Sequence, residues 1–383
     1  MACLALDMFG QHQNSFVQRL ILLAGLYVTL AVSLNLINGV TGQFSIGHAA
    51  FYEVGAYTAG ALANAFFSKA HLPPAVWLVV MMGAGALAAS VAGLLVGLPS
   101  LRLKGDYLAI VTLGFGEIIR IVFQNQPKLG GSYGLTVEPR FQYIWLTWLL
   151  AVLCIAVCRN LLKSAHGLAF LAVREDEVAS SAMGVNVTKT KVTAFLIGSA
   201  FAGAAGAALA HMNGYVSPKM FTMDVSFILV TMVVLGGTGS ITGSAIAAVL
   251  LFYLPEKMRD LNDVRMTMIV ASAITLVVVV ALVRRIAEHY HGPKLTKAGV
   301  MAGIVVVGYP ATLLLAAILG RIPALAGTVE GTKLRLVIFA VTLIVLMLLR
   351  PQGVFAHHEF SWSWVQRVLR LKKNVPTTEV SAS

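Results

Sequence analysis

Long apolar runs alternate with short polar connections along most of the 383-residue chain. Each run has about twenty residues, enough for a helix to cross a hydrocarbon core of about 30 Å. The pattern therefore predicts an all-α, polytopic transmembrane protein. The first predicted spans are Phe16–Leu36, Phe44–Phe67, Ala75–Leu98, Tyr107–Gln124 and Phe141–Arg159.

A polar stretch, Ser164–Val192, interrupts the apolar pattern in a chain of which only 11% is charged. The segment REDEVASSAMG, which begins at Arg174, is compatible with one short helix whose early acidic residues suit the helix dipole. Gly184 is expected to cap that helix, and Asn186 to start the next one. The stretch is thus predicted to present a helix, a sharp turn and a second helix to a soluble partner. An ordinary solvated loop is the alternative.

The second half of the chain begins with a sixth predicted span, Thr193–Asn213, and then an apolar run, Val225–Leu254, that glycines interrupt. Each half of that run has about twelve residues, roughly 18 Å as a helix, which is too short to span alone. We therefore expect a re-entrant hairpin whose turn holds Gly236, Gly237, Gly239 and Gly243. Further spans at Met266–Val283, Ala298–Leu319 and Leu334–Leu349 bring the total to about nine to ten spans or re-entrant segments.

Basic residues are concentrated in three connections, Arg159–Lys191, Arg284–Lys297 and the tail after Arg350. The positive-inside rule predicts that all three face the cytoplasm. The number of spans between these connections places all three on the same side only if the glycine-interrupted run returns to the side from which it entered. The N-terminus is then expected outside and the C-terminus inside. Residues 16–355 form the predicted membrane domain, and 356–383 a polar tail with an amphipathic piece suited to a membrane surface.

Composition and motifs exclude several classes of function. The net charge of +12 is spread over short loops and the tail without a basic stripe and interleaved aromatics, so no nucleic-acid partner is expected. Cys154 and Cys158 lie in an apolar span, which indicates packing rather than a disulfide or a metal site. The sequence has no G-x-x-x-x-G-K-[ST] or H-E-x-x-H motif. No catalytic residue, metal or bound cofactor is predicted, so transport needs an outside energy source unless the chain is a passive channel.

Polar residues inside the predicted spans mark either internal pairs or a translocation path. Glu117 and Arg120 share a helix face and are expected to form an ion pair or a gate contact. His48 is expected to be structural or to touch substrate, and Glu53 to pair with a partner subunit or to carry a proton. Gly42–Ser45 is expected to start a helix whose free N–H groups suit a carboxylate. The path candidates are Gly42, Gln43, Ser45, His48, Glu53, Glu117 and Arg120.

Several segments together resemble the permease subunit of branched-chain amino acid ABC importers, the LivM-type subunit. The resemblance covers most of Leu20–Arg265 and implies an ABC importer permease fold. It also implies that residues 163–192 are the coupling loop that contacts a cytoplasmic ATPase. The matching segments are Gly39–Gly60, Arg102–Val122, Ala172–Ala210, Val233–Asp260 and Leu346–Phe355. The coupling residues expected on this basis are Arg174, Glu175, Asp176, Glu177, Ala182, Met183, Gly184 and Asn186.

The resemblance implies a heteromeric importer in a bacterial or archaeal inner membrane. Its expected partners are a second permease subunit, two ABC ATPases that hydrolyse the ATP, and an extracytoplasmic substrate-binding protein. The implied substrates are branched-chain or other small neutral amino acids, with urea or short-chain amides as the alternative. This chain departs from the family pattern at Val178-Ala179-Ser180, at Glu53, and at residues 266–335, which hold two extra predicted spans.

Overall fold

Ten α-helices make up most of the described residues between 15 and 259. This computed structural model describes residues 14–67, 72–100 and 106–259, together with isolated positions between 264 and 329. The predicted all-α class is confirmed. The helices are α1 Ser15–Asn35, α2 His48–Phe66, α3 Pro74–Ser100, α4 Asp106–Gln124, α5 Ile144–Lys163, α6 Ala165–Glu175, α7 Glu177–Ala182, α8 Val187–Asn213, α9 Met223–Gly236 and α10 Ile241–Arg259.

Among the residues that the structure describes, six helical segments are long and apolar enough to cross a membrane. They correspond to five of the predicted spans and to the first half of the glycine-interrupted run, and α2 coincides with the remaining early span. Of the described residues, those up to Tyr253 belong to one compact unit and those from Leu254 to a second. The predicted spans after residue 265 and the tail lie outside the described residues, apart from isolated positions. The six segments are Ser15–Val40, Pro74–Leu98, Tyr107–Gln124, Ile144–Lys163, Val187–Asn213 and Pro218–Gly236.

Helix α8 is the centre of the first unit, and small residues allow its neighbours to approach it closely. Its Gly203 backbone lies so near Gly55 of α2 and Gly85 of α3 that a Cβ atom added to any of the three glycines would be crowded. Close backbone approach through small residues is the usual way for helices to pack in a membrane. The alanine- and glycine-rich sequence of α8 is therefore a packing surface for two helices at once.

The first unit has two distinct ends. At the polar end lies the polar stretch between α5 and α8. At the strand end, β1 (Leu135–Thr136) pairs antiparallel with β2 (Tyr215–Val216), which follows α8. Helices α1 and α5 run in parallel, because the indole N–H of Trp148 donates to the Ile21 carbonyl at 3.1 Å and Cys154 lies beside Thr29. Helix α1 therefore ends at the polar end, where α5 also ends.

Helices α9 and α10 form a hairpin. Gly239, in the turn between them, meets Asn35 near the end of α1, whereas Phe252 of α10 stacks on Tyr27 with ring centroids 5.0 Å apart. The turn therefore lies at the polar end, and α10 runs antiparallel to α1. The expected halves of about twelve residues are wrong, because α9 has 14 residues and α10 has 19. Both helices extend into polar flanking sequence that the apolar pattern did not include.

Candidate functional site

The polar stretch folds as two short helices, α6 and α7, where the sequence predicts one helix. Asp176 interrupts the segment with extended backbone angles (φ −156°, ψ 113°). Its carboxylate accepts hydrogen bonds from the backbone N–H groups of Val178 at 2.8 Å and Ala179 at 3.0 Å. An aspartate in this position satisfies the free N–H groups of a new helix, so the chain turns instead of continuing. The single-helix prediction for REDEVASSAMG is therefore wrong.

The predicted helix ends after α7 are confirmed. Gly184 has φ +86°, a conformation in which glycine costs least. The N–H of Gly184 donates to the Ser181 carbonyl and that of Val185 to the Ser180 carbonyl, both at 3.0 Å, as in a Schellman cap. Asn186 then accepts from the Lys189 N–H at 2.8 Å and begins α8.

Helix α7 and its cap, residues 177–184, form a knob at the polar end. Val178 is 69% exposed and Met183 is 85% exposed, although both side chains are apolar. A Cβ atom added to Gly184 would meet nothing within 4 Å. Ala182 and Asn186 are also exposed. The knob is thus a capped, apolar projection with room around it for another protein.

Two charged residues of the polar stretch turn inward and fasten the knob to the bundle. Glu177 forms an ion pair with Lys191 of α8, whose side chain is only 5% exposed. Arg174, at the end of α6, reaches the irregular segment after α1 and the turn between α9 and α10. A Cβ atom built on Gly42 would lie 3.2 Å from its Cγ, and one on Gly239 would lie 2.8 Å from its Nη1. Glu175 and Asp176, by contrast, are exposed.

The glycine junction is the place where residues 35–42 meet the turn Gly236–Gly243. Asn35 is fully buried; its side-chain oxygen accepts from the Gly239 N–H at 2.9 Å, and its amide donates to the Ser240 carbonyl at 3.0 Å. A Cβ atom on Gly39 would collide with the Gly239 backbone. Gly236 and Gly243 face each other across the turn, and a Cβ atom on either glycine would collide with the backbone of the other. Gly237 (φ +107°) and Gly239 (φ +92°) have the positive φ angles that reverse the chain.

Asn35 and Lys191 were not singled out by sequence reasoning. Asn35 is a polar side chain inside the predicted span Phe16–Leu36, and such residues need a partner within the protein. That signal alone marks it as a candidate, although it does not identify the partner. Lys191 lies within the polar stretch Ser164–Val192, and only the fold reveals that it is buried.

The expected carboxylate site at Gly42–Ser45 is wrong, because no helix begins there. Helix α2 begins at His48, and residues 41–47 are irregular. The N–H of Gln43 donates to the Ile37 carbonyl, and the N–H of Ser45 to the Asn38 side chain, each at 3.1 Å. These donors are already used within the chain. Gly42 is exposed, whereas Gln43 and Ser45 are buried.

His48 and Glu53 are both fully buried in α2. The Nε2 atom of His48 forms a 2.9 Å hydrogen bond with the Ser33 hydroxyl, which fits the structural alternative for this residue. Neither carboxylate oxygen of Glu53 has a hydrogen-bond partner among the residues that the structure describes. A side chain enclosed by its own chain cannot pair with a partner subunit in this conformation, so that expectation for Glu53 is wrong.

The predicted ion pair in α4 is confirmed. Arg120 donates from Nη2 and Nε to the Oε2 atom of Glu117 at 2.7 and 2.9 Å. The two side chains are 24% and 20% exposed, so the pair lies at the surface of an apolar helix. Within the described residues, no group of three or more His, Cys, Asp or Glu side chains is placed to hold a metal ion.

Comparisons with known proteins agree on one family. The family model described as branched-chain amino acid transport system / permease component matches residues 16–283. The chain is 37% identical over 279 residues to the high-affinity branched-chain amino acid transport system permease protein LivM of Salmonella typhimurium, and 38% identical to that of Escherichia coli K12. Each match covers 64% of this chain and 64% of the relative, so the chain spans less than two thirds of these relatives.

A second type of relative matches more weakly. The permease protein LivH of Escherichia coli K12, also from a high-affinity branched-chain amino acid transport system, is 25% identical over 252 residues. That match covers 60% of this chain and 80% of LivH. No solved structure matches the chain.

Proposed function

The chain belongs to the family of branched-chain amino acid transport permeases, and from this premise we propose that it is the membrane permease subunit of an ATP-driven importer. The proposed substrates are branched-chain or other small neutral amino acids. The proposed location is a bacterial or archaeal inner membrane. The chain does not hydrolyse ATP in this proposal; two partner ATPases do so, and a second permease subunit and an extracytoplasmic binding protein complete the complex.

The observation that carries this proposal is the knob. An apolar tip that is exposed on a capped helix, at the basic end of a membrane-spanning chain, is suited to a groove on a soluble protein. Exposed Val178 and Met183 supply the apolar contact. Exposed Glu175 and Asp176 flank it with charge. We therefore assign the knob, residues 177–184, as the contact with the ATPase.

In the proposed mechanism, the inward-facing side chains carry motion of the knob into the membrane. The Glu177–Lys191 ion pair joins the knob to α8, which packs on α2 and α3. Arg174 joins α6 to the glycine junction. Rocking of the ATPases would thus move α8 and the junction together. The junction joins irregular backbone to helix ends, and such breaks in membrane helices are where transporters form their substrate sites.

This function is tested by ATP-dependent uptake of radiolabelled leucine into vesicles that contain the whole complex. Gly184→Trp should abolish uptake while the complex subunits still insert. A side chain at φ +86° costs about 1–2 kcal/mol, too little to unfold a protein that is stable by about 5–15 kcal/mol. The loss would therefore come from the bulk of the indole at the knob. Leu87→Trp, at an exposed site on α3, is the matched control and should transport normally.

The alternatives give different results in the same assay. Normal uptake by the Gly184→Trp complex would contradict the coupling role. Leucine flux through the lone chain without ATP would indicate a passive channel. ATP-dependent uptake of radiolabelled urea or acetamide, with no uptake of leucine, would identify an amide importer instead.

A further inference from the structure

Helix α4 is the least enclosed of the six apolar segments. Only 17% of residues 107–124 are buried, against 33% for the next lowest segment. One face of α4 packs on α2 and on the segment just before it: the Ile46 N–H donates to the Thr112 hydroxyl at 3.1 Å, and Phe123 stacks on Tyr57 at 4.4 Å. The opposite face, which includes Tyr107 and Ile110, is exposed.

The uncovered face of α4 is apolar with two exceptions. Tyr107 (71%), Ile110 (65%), Ile118 (57%) and Ile121 (47%) are exposed. Together with Gly114 they recur at intervals of three, four or seven residues, as on one helix face. Gly114 lies in the middle, and an added Cβ atom there would meet nothing within 4 Å. The Glu117–Arg120 ion pair, whose side chains are 20% and 24% exposed, runs along one edge. The face thus has a shallow groove at Gly114 beside a pair of charges.

The exposed side chains of α3 and α5 provide the contrast. Leu87 (71%), Val91 (59%) and Leu95 (64%) of α3 are exposed, and so is Val152 (50%) of α5. Helix α3 contains no charged residue between Pro74 and Ser100. A face of this kind is suited to lipid chains. Charged side chains in membrane spans face protein or water, and small residues mark helix contacts.

We propose that this face of α4, centred on Gly114 and edged by Glu117 and Arg120, binds a membrane helix of the second permease subunit. The inference rests on the proposed function for the existence of that subunit, but the choice of α4 comes from exposure and charge alone. LivM and LivH are both permease proteins of such a transport system, and both are similar in sequence to this chain. A second permease that resembles this chain is therefore the expected partner.

The chemistry of the face defines its partner. The groove at Gly114 accepts the ridge of a helix that approaches closely. The guanidinium of Arg120 already bonds Glu117 and contacts Gln124 at 3.4 Å. A polar group on the partner, such as a serine, asparagine or carboxylate, would satisfy its outward N–H groups. The ion pair is thereby shielded from lipid only when the two permeases are together.

Photo-crosslinking in the complete complex tests this surface. A benzophenone amino acid is placed at Ile110 or Ile118 of α4, and at Leu87 or Val152 as exposed controls on α3 and α5. We expect a product with the combined mass of the two permeases from α4 and none from the controls. A product of two copies of this chain, a product within the chain, or equal products from α4 and the controls would overturn the proposal.

Two glycines provide a matched pair of variants for the same surface. A Cβ atom meets nothing within 4 Å at either Gly114 or Gly83 of α3. Gly114→Leu should fill the groove and reduce co-purification of the second permease by about tenfold, as overpacking of a helix contact does. Gly83→Leu should leave it unchanged. An equal effect of both, or of neither, would count against the surface.

Uptake by the unmodified complex is measured on the same membranes, so that the two proposals can fail separately. Crosslinks from α4 without uptake would support the proposed contact surface and contradict the importer function. Uptake without crosslinks from α4 would support the importer function and contradict the contact surface.

Discussion

Gly39 occupies a crowded backbone position of the glycine junction. A side chain there has no space, because the neighbouring atoms belong to Asn35 and to the Gly239 backbone. Backbone atoms cannot move aside as the tip of a flexible side chain can. Elsewhere in the chain, glycines such as Gly83 have open space, and their role is different.

Gly39→Ala should therefore destabilise the protein by about 1–3 kcal/mol, the usual cost of overpacking. Gly83→Ala, in α3, should be neutral or stabilising by up to about 1 kcal/mol, since alanine favours helix more than glycine does. Thermal unfolding of the purified protein in detergent measures both. Equal melting temperatures for the two variants would show that the junction is not closely packed.

At the scale of elements, the junction links four parts of the chain: the end of α1, the segment that follows it up to Gly42, the hairpin turn and the end of α6. Two side chains make these links, Asn35 from within the membrane and Arg174 from the polar stretch. Asn35 is fully buried. If its side chain is removed, water does not reach the Gly239 N–H to replace the lost hydrogen bond. Its contribution is thus to the position of the turn relative to α1.

Asn35→Ala should lower stability by about 1–3 kcal/mol, the cost of an unsatisfied buried donor, and should reduce leucine uptake per ATP hydrolysed. Asn64→Ala is the matched control. Asn64 also bonds two backbone groups, the Thr136 carbonyl at 2.6 Å and the Glu138 N–H at 3.3 Å, but it is exposed at the strand end, where water replaces it. Unfolding and transport stoichiometry are measured on both variants. A greater loss in Asn64→Ala would contradict the role of the junction.

At the scale of the whole molecule, the polar end and the strand end of the first unit should lie on opposite sides of the membrane. The helices between them have the length of a bilayer core, and each alternates in direction with its covalent neighbour. The basic connection Arg159–Lys191 favours the cytoplasm for the polar end. The loop with Tyr133, which is 91% exposed at the strand end, then faces outward.

Sidedness is checked with a membrane-impermeant maleimide. Cys154 and Cys158 are buried and should not react, so the variants carry Cys3→Ser and one new cysteine. Tyr133→Cys should label from the outside, and Met183→Cys only in inverted vesicles. Labelling of both from one side, or in the reverse order, would reject this orientation.

Local sequence was sufficient to predict the helices and their ends. Apolar runs long enough to cross a bilayer must form helices, because no water is present to satisfy the backbone. The glycine cap at Gly184, the start of α8 at Asn186 and the ion pair in α4 all depend on neighbours within a few residues. The local error at Asp176 came from treating an aspartate as a helix residue when it caps the next helix, and the expected helix start at Gly42–Ser45 fails because α2 begins only at His48.

Only the tertiary structure decided which polar groups meet across the bundle. Asn35 and Ser240 are separated by 205 residues, and no local pattern connects them. The burial of Glu53 and Lys191, and the reach of Arg174 into the glycine junction, likewise depend on how close the helices come. The sequence by itself determined that this is an all-α membrane chain with a capped polar projection. Packing determined what that projection is fastened to, because helix formation depends on nearby residues whereas contacts depend on the whole fold.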